Sequence, residues 1–167
     1  ETRSTASRVK QTYFDIMRPA IEDAEFLDAC AGSGAVGIEA VSRGAAHATL
    51  IDRSHAAVAS ALENLRALGP RSRQVEVLQG DLLRTLRKLR SEGRRFDVVY
   101  LDPPYTEGPY EEALELLAEG LVNPHGYVTA EHFKKRELPE RILSLTRIRE
   151  VRVSDHRLTI YRYEVPS

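Results

Sequence analysis

The chain has 167 residues, 42% apolar and 29% charged, with a formal net charge of -1. That length supports one domain with a sizeable core, and the near-neutral balance means any nucleic-acid partner must be held by a local basic surface, not by a basic chain. No apolar run is long enough to span a membrane, the first ten residues are too polar for a secretory leader, and the lone Cys30 excludes an intrachain disulfide, so the expected location is the cytoplasm.

In chain order, Ser4 or Thr5 caps a leading helix whose Val9, Tyr13, Ile16 and Met17 recur at helical spacing until Pro19 ends the pattern. Residues 25–30 read as a strand and 35–44 as a helix closed by Gly44. A second strand covers 48–52, and a helix over 55–69 stops at Gly69-Pro70. Residues 74–79 alternate as a strand, 81–90 are helical, and F-D-V-V-Y-L-D (96–102) is a fourth strand. A helix over 110–120 and a fifth strand over 127–133 follow. Two alternating runs then flank Ser154-Asp155-His156, which signals a hairpin. Strands alternating with helices predict an α/β fold: a mostly parallel sheet with right-handed crossovers, helices on both faces, and one antiparallel strand from the hairpin. Ligands in such sheets bind at the carboxyl ends of the strands, which selects the loops after Cys30, Asp52, Gln79 and Asp102.

The first of these loops reads D-A-C-A-G-S-G-A-V-G, with Gly32, Gly34 and Gly37 in G-x-G-x-x-G spacing between a strand and a helix. Such glycines let backbone amides approach a ligand closely. Asp52, at the end of the second strand, suits a ribose diol. Asp28 lies within the first strand, where its charge suits a cationic amino-acid tail and repels a pyrophosphate. Asp81 in Q-G-D-L-L is placed for an exocyclic amine of adenine, or equally for a helix cap. Three acids at three strand ends, with no basic residue in the glycine loop, favour S-adenosylmethionine over a dinucleotide. The expected cofactor contacts are Asp28, Ala29, Ala31, Gly32, Ser33, Gly34, Asp52, Arg53, Gly80, Asp81 and Leu82. S-adenosylhomocysteine is then the product.

The fourth strand exits into D-P-P-Y. Each proline locks its own φ and holds the preceding residue extended, so Asp102 and the carbonyl of Pro103 are fixed as two acceptors. Acceptors for both hydrogens of an aromatic amine help its nitrogen become tetrahedral during methyl transfer. Tyr105 can stack on a flat base. Asp102, Pro103, Pro104 and Tyr105 are therefore the expected catalytic set.

D-P-P-Y together with L-D-A-C-A-G-S-G-A-V-G-I-E-A-V-S-R-G-A resembles the bacterial 16S ribosomal RNA guanine-N2 methyltransferase family, over nearly the whole chain. The resemblance implies the class I methyltransferase fold, a Rossmann-like seven-stranded sheet whose last strand is antiparallel, spanning residues 1–167 as one domain. It implies methylation of the exocyclic N2 amine of one guanine in the small-subunit RNA, alone or in an assembling subunit, by a monomer. Members usually begin with a basic β-hairpin, absent from this sequence, and then an R-P-T-x-D-R-V-R-E helix start. Here the start reads R-S-T-A-S-R-V-K-Q, matching at Arg3, Thr5, Arg8 and Val9 and departing at Ser4, Ser7 and Gln11. Since the sequence begins at Glu1, an N-terminal piece is expected to be missing. The departures keep adenine-N6 or another N-methylation open as the alternative, with a non-catalytic RNA-binding module behind it.

Arg3, Arg8, Lys10, Lys134, Lys135 and Arg136 are the expected phosphate contacts. The run Arg84, Arg87, Lys88, Arg90, Arg94 and Arg95 reads as a solvated helix face leading away from the site. The five His residues show no ligand spacing, so no metal is expected. Cys30 reads as a small buried thiol, not a nucleophile.

Overall fold

A computed structural model describes residues 4–104 and 108–165. Arg3 and Tyr105 lie outside the described residues. Helix α1 (Thr5–Ile21) opens where the Ser4 hydroxyl accepts from the Ser7 amide at 3.1 Å. It buries Val9, Tyr13, Phe14, Met17 and Ile21, one stripe at three- and four-residue spacing. Then follow β1 (Glu25–Ala29), α2 (Ala35–Ser42), β2 (His47–Asp52), α3 (His55–Asn64) and β3 (Val75–Gln79). The second half comprises α4 (Leu82–Ser91), β4 (Phe96–Leu101), α5 (Tyr110–Ala118), β5 (Val122–Phe133), β6 (Arg141–Ile142), β7 (Leu145–Val153) and β8 (His156–Tyr163).

The described strands form one eight-stranded sheet in the order β3-β2-β1-β4-β5-β8-β7-β6. Strands β1 to β5 pair in parallel, whereas β8 is antiparallel to both β5 and β7. The central strands are apolar on both faces, as parallel strands covered by crossover helices must be. One core joins α1, α2 and α3 to the sheet through Phe14, Phe26, Leu50 and Tyr100; the other joins α4 and α5 through Leu86, Phe96, Leu101 and Leu114. Chain order runs outward from β1 towards β3 and from β4 towards β8, so the crevice expected of such sheets lies between β1 and β4.

The expected architecture is present, with four differences. The sheet has eight strands among the described residues instead of seven, because two residues of β6 pair with the start of β7. Helix α1 continues past Pro19 to Ile21: proline near the end of a helix costs one backbone bond, and buried Met17 and Ile21 hold the last turn in place. The helix expected over 55–69 ends at Asn64 and passes into a 3-10 run, Leu65–Gln74, broken at Gly69 where φ is 59°. Strand β5 begins at Val122, not 127, with the intervening N-P-H-G looped out between the partners of Phe96 and Val98.

No helix among the described residues is long and apolar enough to cross a membrane. Helix α2 packs tightly on β2, since a Cβ added at Gly37 would lie 2.5 Å from Leu50 Cδ1. Gly37→Ala is therefore expected to cost about 1–3 kcal/mol by overpacking, read as a lower denaturant midpoint at unchanged slope.

Candidate functional site

The carboxyl ends of β1, β2, β3 and β4 meet at one edge of the sheet, and a cleft opens there. Its empty volume is about 510 Å³, open mouth included. Ile51, Leu82, Pro103 and Pro109 give it apolar walls, while Asp52 and Asp81 place two carboxylates at its rim. Arg53, Gly80, Pro104 and Cys30 complete the lining.

Asp52 organises this edge. One carboxylate oxygen accepts from the Gly32 amide at 2.8 Å and the other from Ser54 at 2.9 Å, while its carbonyl accepts from Gly80 at 2.9 Å. Three loops are thereby tied to one residue. A carboxylate has about four lone-pair sites, so both oxygens retain capacity for a ligand. Asp81 is a helix cap, its oxygen accepting from Arg84 at 3.0 Å, and it also stands on the cleft's rim. The two readings open at that position are compatible.

Asp28 is placed differently. It is 2% exposed and its carboxylate accepts from the Gly37 amide at 2.9 Å, beneath the glycine loop and away from the cleft lining. Burial pushes its carboxyl up to about 7, against the opposing pull of the Gly37 bond and with help from the nearby charges of Asp52 and Glu131. Ala29, Ala31, Gly32, Ser33 and Gly34 run past the cleft without lining it, and Gly32 and Gly34 take positive φ, 56° and 84°. A Cβ at Gly32 would meet nothing within 4 Å, so the backbone there is open to a ligand's approach.

At the fourth strand's exit the Asp102 amide donates to the Ala29 carbonyl at 3.2 Å, keeping the corner attached to β1. Pro103 is buried and Pro104 exposed. Strand alternation puts Asp102 on the α1 side of the corner, with Tyr100 and Asp28, whereas Pro103 faces the cleft with Leu101 behind it. Burial, then the charges of Glu131 and Asp28, hold the Asp102 carboxyl well above the usual carboxylate range. Cys30 lies among these acids with φ at 71°, an uncommon conformation for a side-chain-bearing residue. Burial, followed by Asp102, Asp52, Asp28 and Asp81, pushes its thiol up to about 12. It stays protonated at neutral pH, which fits a packing role and not a nucleophile.

The family model described as Conserved hypothetical protein 95 matches residues 1–162. The chain belongs to that family. Ribosomal RNA small subunit methyltransferase D of Haemophilus influenzae is 36% identical over 137 residues, 81% of this chain and 70% of the relative. The Escherichia coli protein of that name is 38% identical over 117 residues, 70% of this chain but only 57% of its own length. A conserved hypothetical protein of Streptococcus pyogenes superposes with a TM-score of 0.85 at 30% identity, covering 93% of this chain and 95% of that one. The family resemblance read from the glycine loop and D-P-P-Y is borne out by these matches.

Among the expected phosphate contacts, Lys10 pairs with Glu39 at 3.4 Å, Lys134 with Asp155 at 3.4 Å, and Arg136 with Glu111. Arg8 and Lys135 are exposed and make no ion pair among the described residues. Tyr13 packs on Tyr100 with ring centroids 4.6 Å apart, which sets the middle of α1 against the end of β4. In the basic run, Arg90 pairs with Glu119 at 3.1 Å and Arg94 with Glu76 at 3.2 Å, while Arg84, Arg87 and Lys88 are exposed on α4. No group of three or more His, Cys, Asp or Glu suited to a metal ion occurs among the described residues.

The sequence reading missed Pro109 and Ile51 as cleft walls and Glu131 as a buried acid beside Asp102. Glu131 carried a usable signal: it is the lone acid of the strand Val122–Phe133.

A raised Asp28 means that the folded chain holds a proton the unfolded chain releases above about pH 4. The stability this contributes is present at low pH and lost as pH rises through about 7. Asp28→Asn keeps an oxygen for the Gly37 amide and removes the charge. Its melting temperature relative to the unaltered protein should therefore climb by several degrees between pH 5 and pH 8, at about 2–4 °C per kcal/mol.

Proposed function

We propose that this protein transfers a methyl group from S-adenosylmethionine to the exocyclic N2 amine of a guanine in small-subunit ribosomal RNA. The observation that carries the reading is a carboxylate fixed by two prolines at the exit of β4, one strand from a glycine loop and beside a cleft with apolar walls. The names of the relatives support ribosomal RNA as the class of substrate.

The residues fit the cofactor. Ile51, Leu82 and Pro103 offer apolar faces to an adenine, Asp52 has free lone pairs for a ribose diol, and the open backbone at Gly32 admits the amino-acid end. The bound cofactor supplies an activated methyl on a sulfonium. This chain's own residues then do the positioning. Asp102 and the Pro103 carbonyl accept the two amine hydrogens, which favours the tetrahedral nitrogen and holds its lone pair in line. The prolines make that geometry available before substrate arrives, so little ordering remains to be done on binding. Tyr105 is assigned to stacking on the extruded base. Arg8 and Lys135, exposed and without acidic partners among the described residues, are the best placed of the basic set to meet phosphate, and a monomer suffices for all these roles.

Asp102→Ala should abolish methyl transfer, by about a hundredfold or more, while calorimetric S-adenosylmethionine affinity changes little. The substrate is identified by incubating the protein, tritiated cofactor and unmethylated small-subunit particles, then digesting the RNA to nucleosides. Label in N2-methylguanosine is the expected result. Label in N6-methyladenosine would transfer the same corner to adenine, and label in neither would overturn the reading. Because Asp102 accepts its amine hydrogen best as the ionised carboxylate, kcat/KM should fall as pH drops, with its midpoint well above that of an ordinary carboxylate.

A further inference from the structure

Behind the Asp-Pro-Pro corner lies a chain of buried polar groups that the proposed transfer does not use. Glu131, 9% exposed, sits on β5 directly beyond the Leu101–Ala130 pair, opposite Asp102 on the neighbouring strand. Its side chain shares the sheet face of Tyr100 and Asp102. One carboxylate oxygen accepts from the Tyr100 hydroxyl, and the other lies 2.9 Å from Nδ1 of His156 on β8, a contact at ion-pair distance without aligned hydrogen-bond geometry. The Glu131 backbone carbonyl accepts from the Tyr110 hydroxyl at 2.8 Å, which fixes the strand end to α5. A carboxylate held at both oxygens, on a backbone held at its carbonyl, has a set place.

We propose that Glu131, clamped between Tyr100 and His156, is a positioning residue that sets the charge state of Asp102 and thereby the pH range of methyl transfer. The inference rests on the reading of Asp102 as the amine acceptor. Asp28, Asp102 and Glu131 stand on or at the ends of three adjacent strands, and no lysine or arginine among the described residues acts on Asp28 or Asp102. Like charges in a region screened from water oppose one another's ionisation, so the protonation of one depends on its neighbours. Among the described residues, the groups facing Asp102 are Asp28 on β1, Glu131 on β5, Tyr100 on β4, Tyr110 on α5 and the neutral Cys30 thiol. Those facing Glu131 are Tyr100, Asp102, Asp28 and His156, with Tyr13 of α1 covering Tyr100. His156 is the sole residue of these two sets able to carry a positive charge, and its side chain is 27% exposed. Protonated His156 offsets Glu131, so the pair acts on Asp102 through a balance of two opposite charges.

This balance predicts shifts of opposite sign. Glu131→Gln removes a negative neighbour and should move the Asp102 titration, and the acid limb of kcat/KM, downward by about one pH unit or more. His156→Gln leaves Glu131 unopposed and should move both upward. A purely structural role gives loss of stability without opposite displacements. Asp102 is followed by carboxyl 13C NMR on aspartate-labelled protein, assigned with Asp102→Asn, and the limb by tritium transfer to unmethylated small-subunit particles. Opposite shifts in the two variants support the proposal. A titration that stays put in both, or moves the same way in both, overturns it. If Glu131→Gln does not fold, His156→Gln alone decides by an upward shift or none. The NMR titration needs no turnover, so the absence of transfer by the unaltered protein would count against the proposed function and leave the charge balance to be judged by itself.

Discussion

The edge of the sheet that carries the cleft depends on the acceptors of one residue, Asp52. Its two carboxylate oxygens and its carbonyl bind amides from the loops after β1, β2 and β3. Backbone amides at the starts of helices would otherwise be left without partners, and a carboxylate is the strongest acceptor available to them. The glycine loop is thus held in its positive-φ path before any ligand is present. A ligand bound there meets a preorganised backbone, so its binding energy is not consumed in ordering the loop.

The opposite side of the crevice is shaped by a different constraint. Asp102 and Pro103 follow β4 into a segment with no onward ladder partner, and the prolines replace the missing restraint with fixed φ. Strand alternation then divides the labour: Pro103 closes the cleft, while Asp102 turns to the α1 face, among Asp28, Glu131 and Tyr100. Concentrating acids without basic partners costs stability, and Asp28 and Asp102 both respond by holding protons more tightly.

The two ends of the sheet differ in kind. On the β3 side, strands stack in parallel beneath α2, α3 and α4, and the chemistry is confined to their carboxyl ends. On the β8 side, antiparallel strands bring His156 at the start of β8 beside Glu131 near the end of β5. Antiparallel pairing makes that meeting possible, since it sets the first residues of one strand against the last of its neighbour. The hairpin therefore does more than extend the sheet: it places an imidazole behind the Asp-Pro-Pro corner.

Much of this could be read from the chain alone, because it depends on local chemistry. Glycine spacing, paired prolines, apolar runs of strand length and Ser4 as a cap express constraints within a few residues, and they gave the α/β order, the antiparallel end and the four loops. Boundaries shifted where tertiary contact outweighed local preference, as at Pro19, where buried Met17 and Ile21 keep the helix going. The fate of each acid was not local. Asp28, Asp52, Asp81, Asp102 and Glu131 are the same chemistry at strand ends or within strands, yet one lies under the glycine loop, one ties three loops, one caps a helix, and two face each other across neighbouring strands. Strand order, register and the side of the sheet on which each side chain emerges decided those roles, because desolvation and the distance to like charges exist only once remote segments have packed.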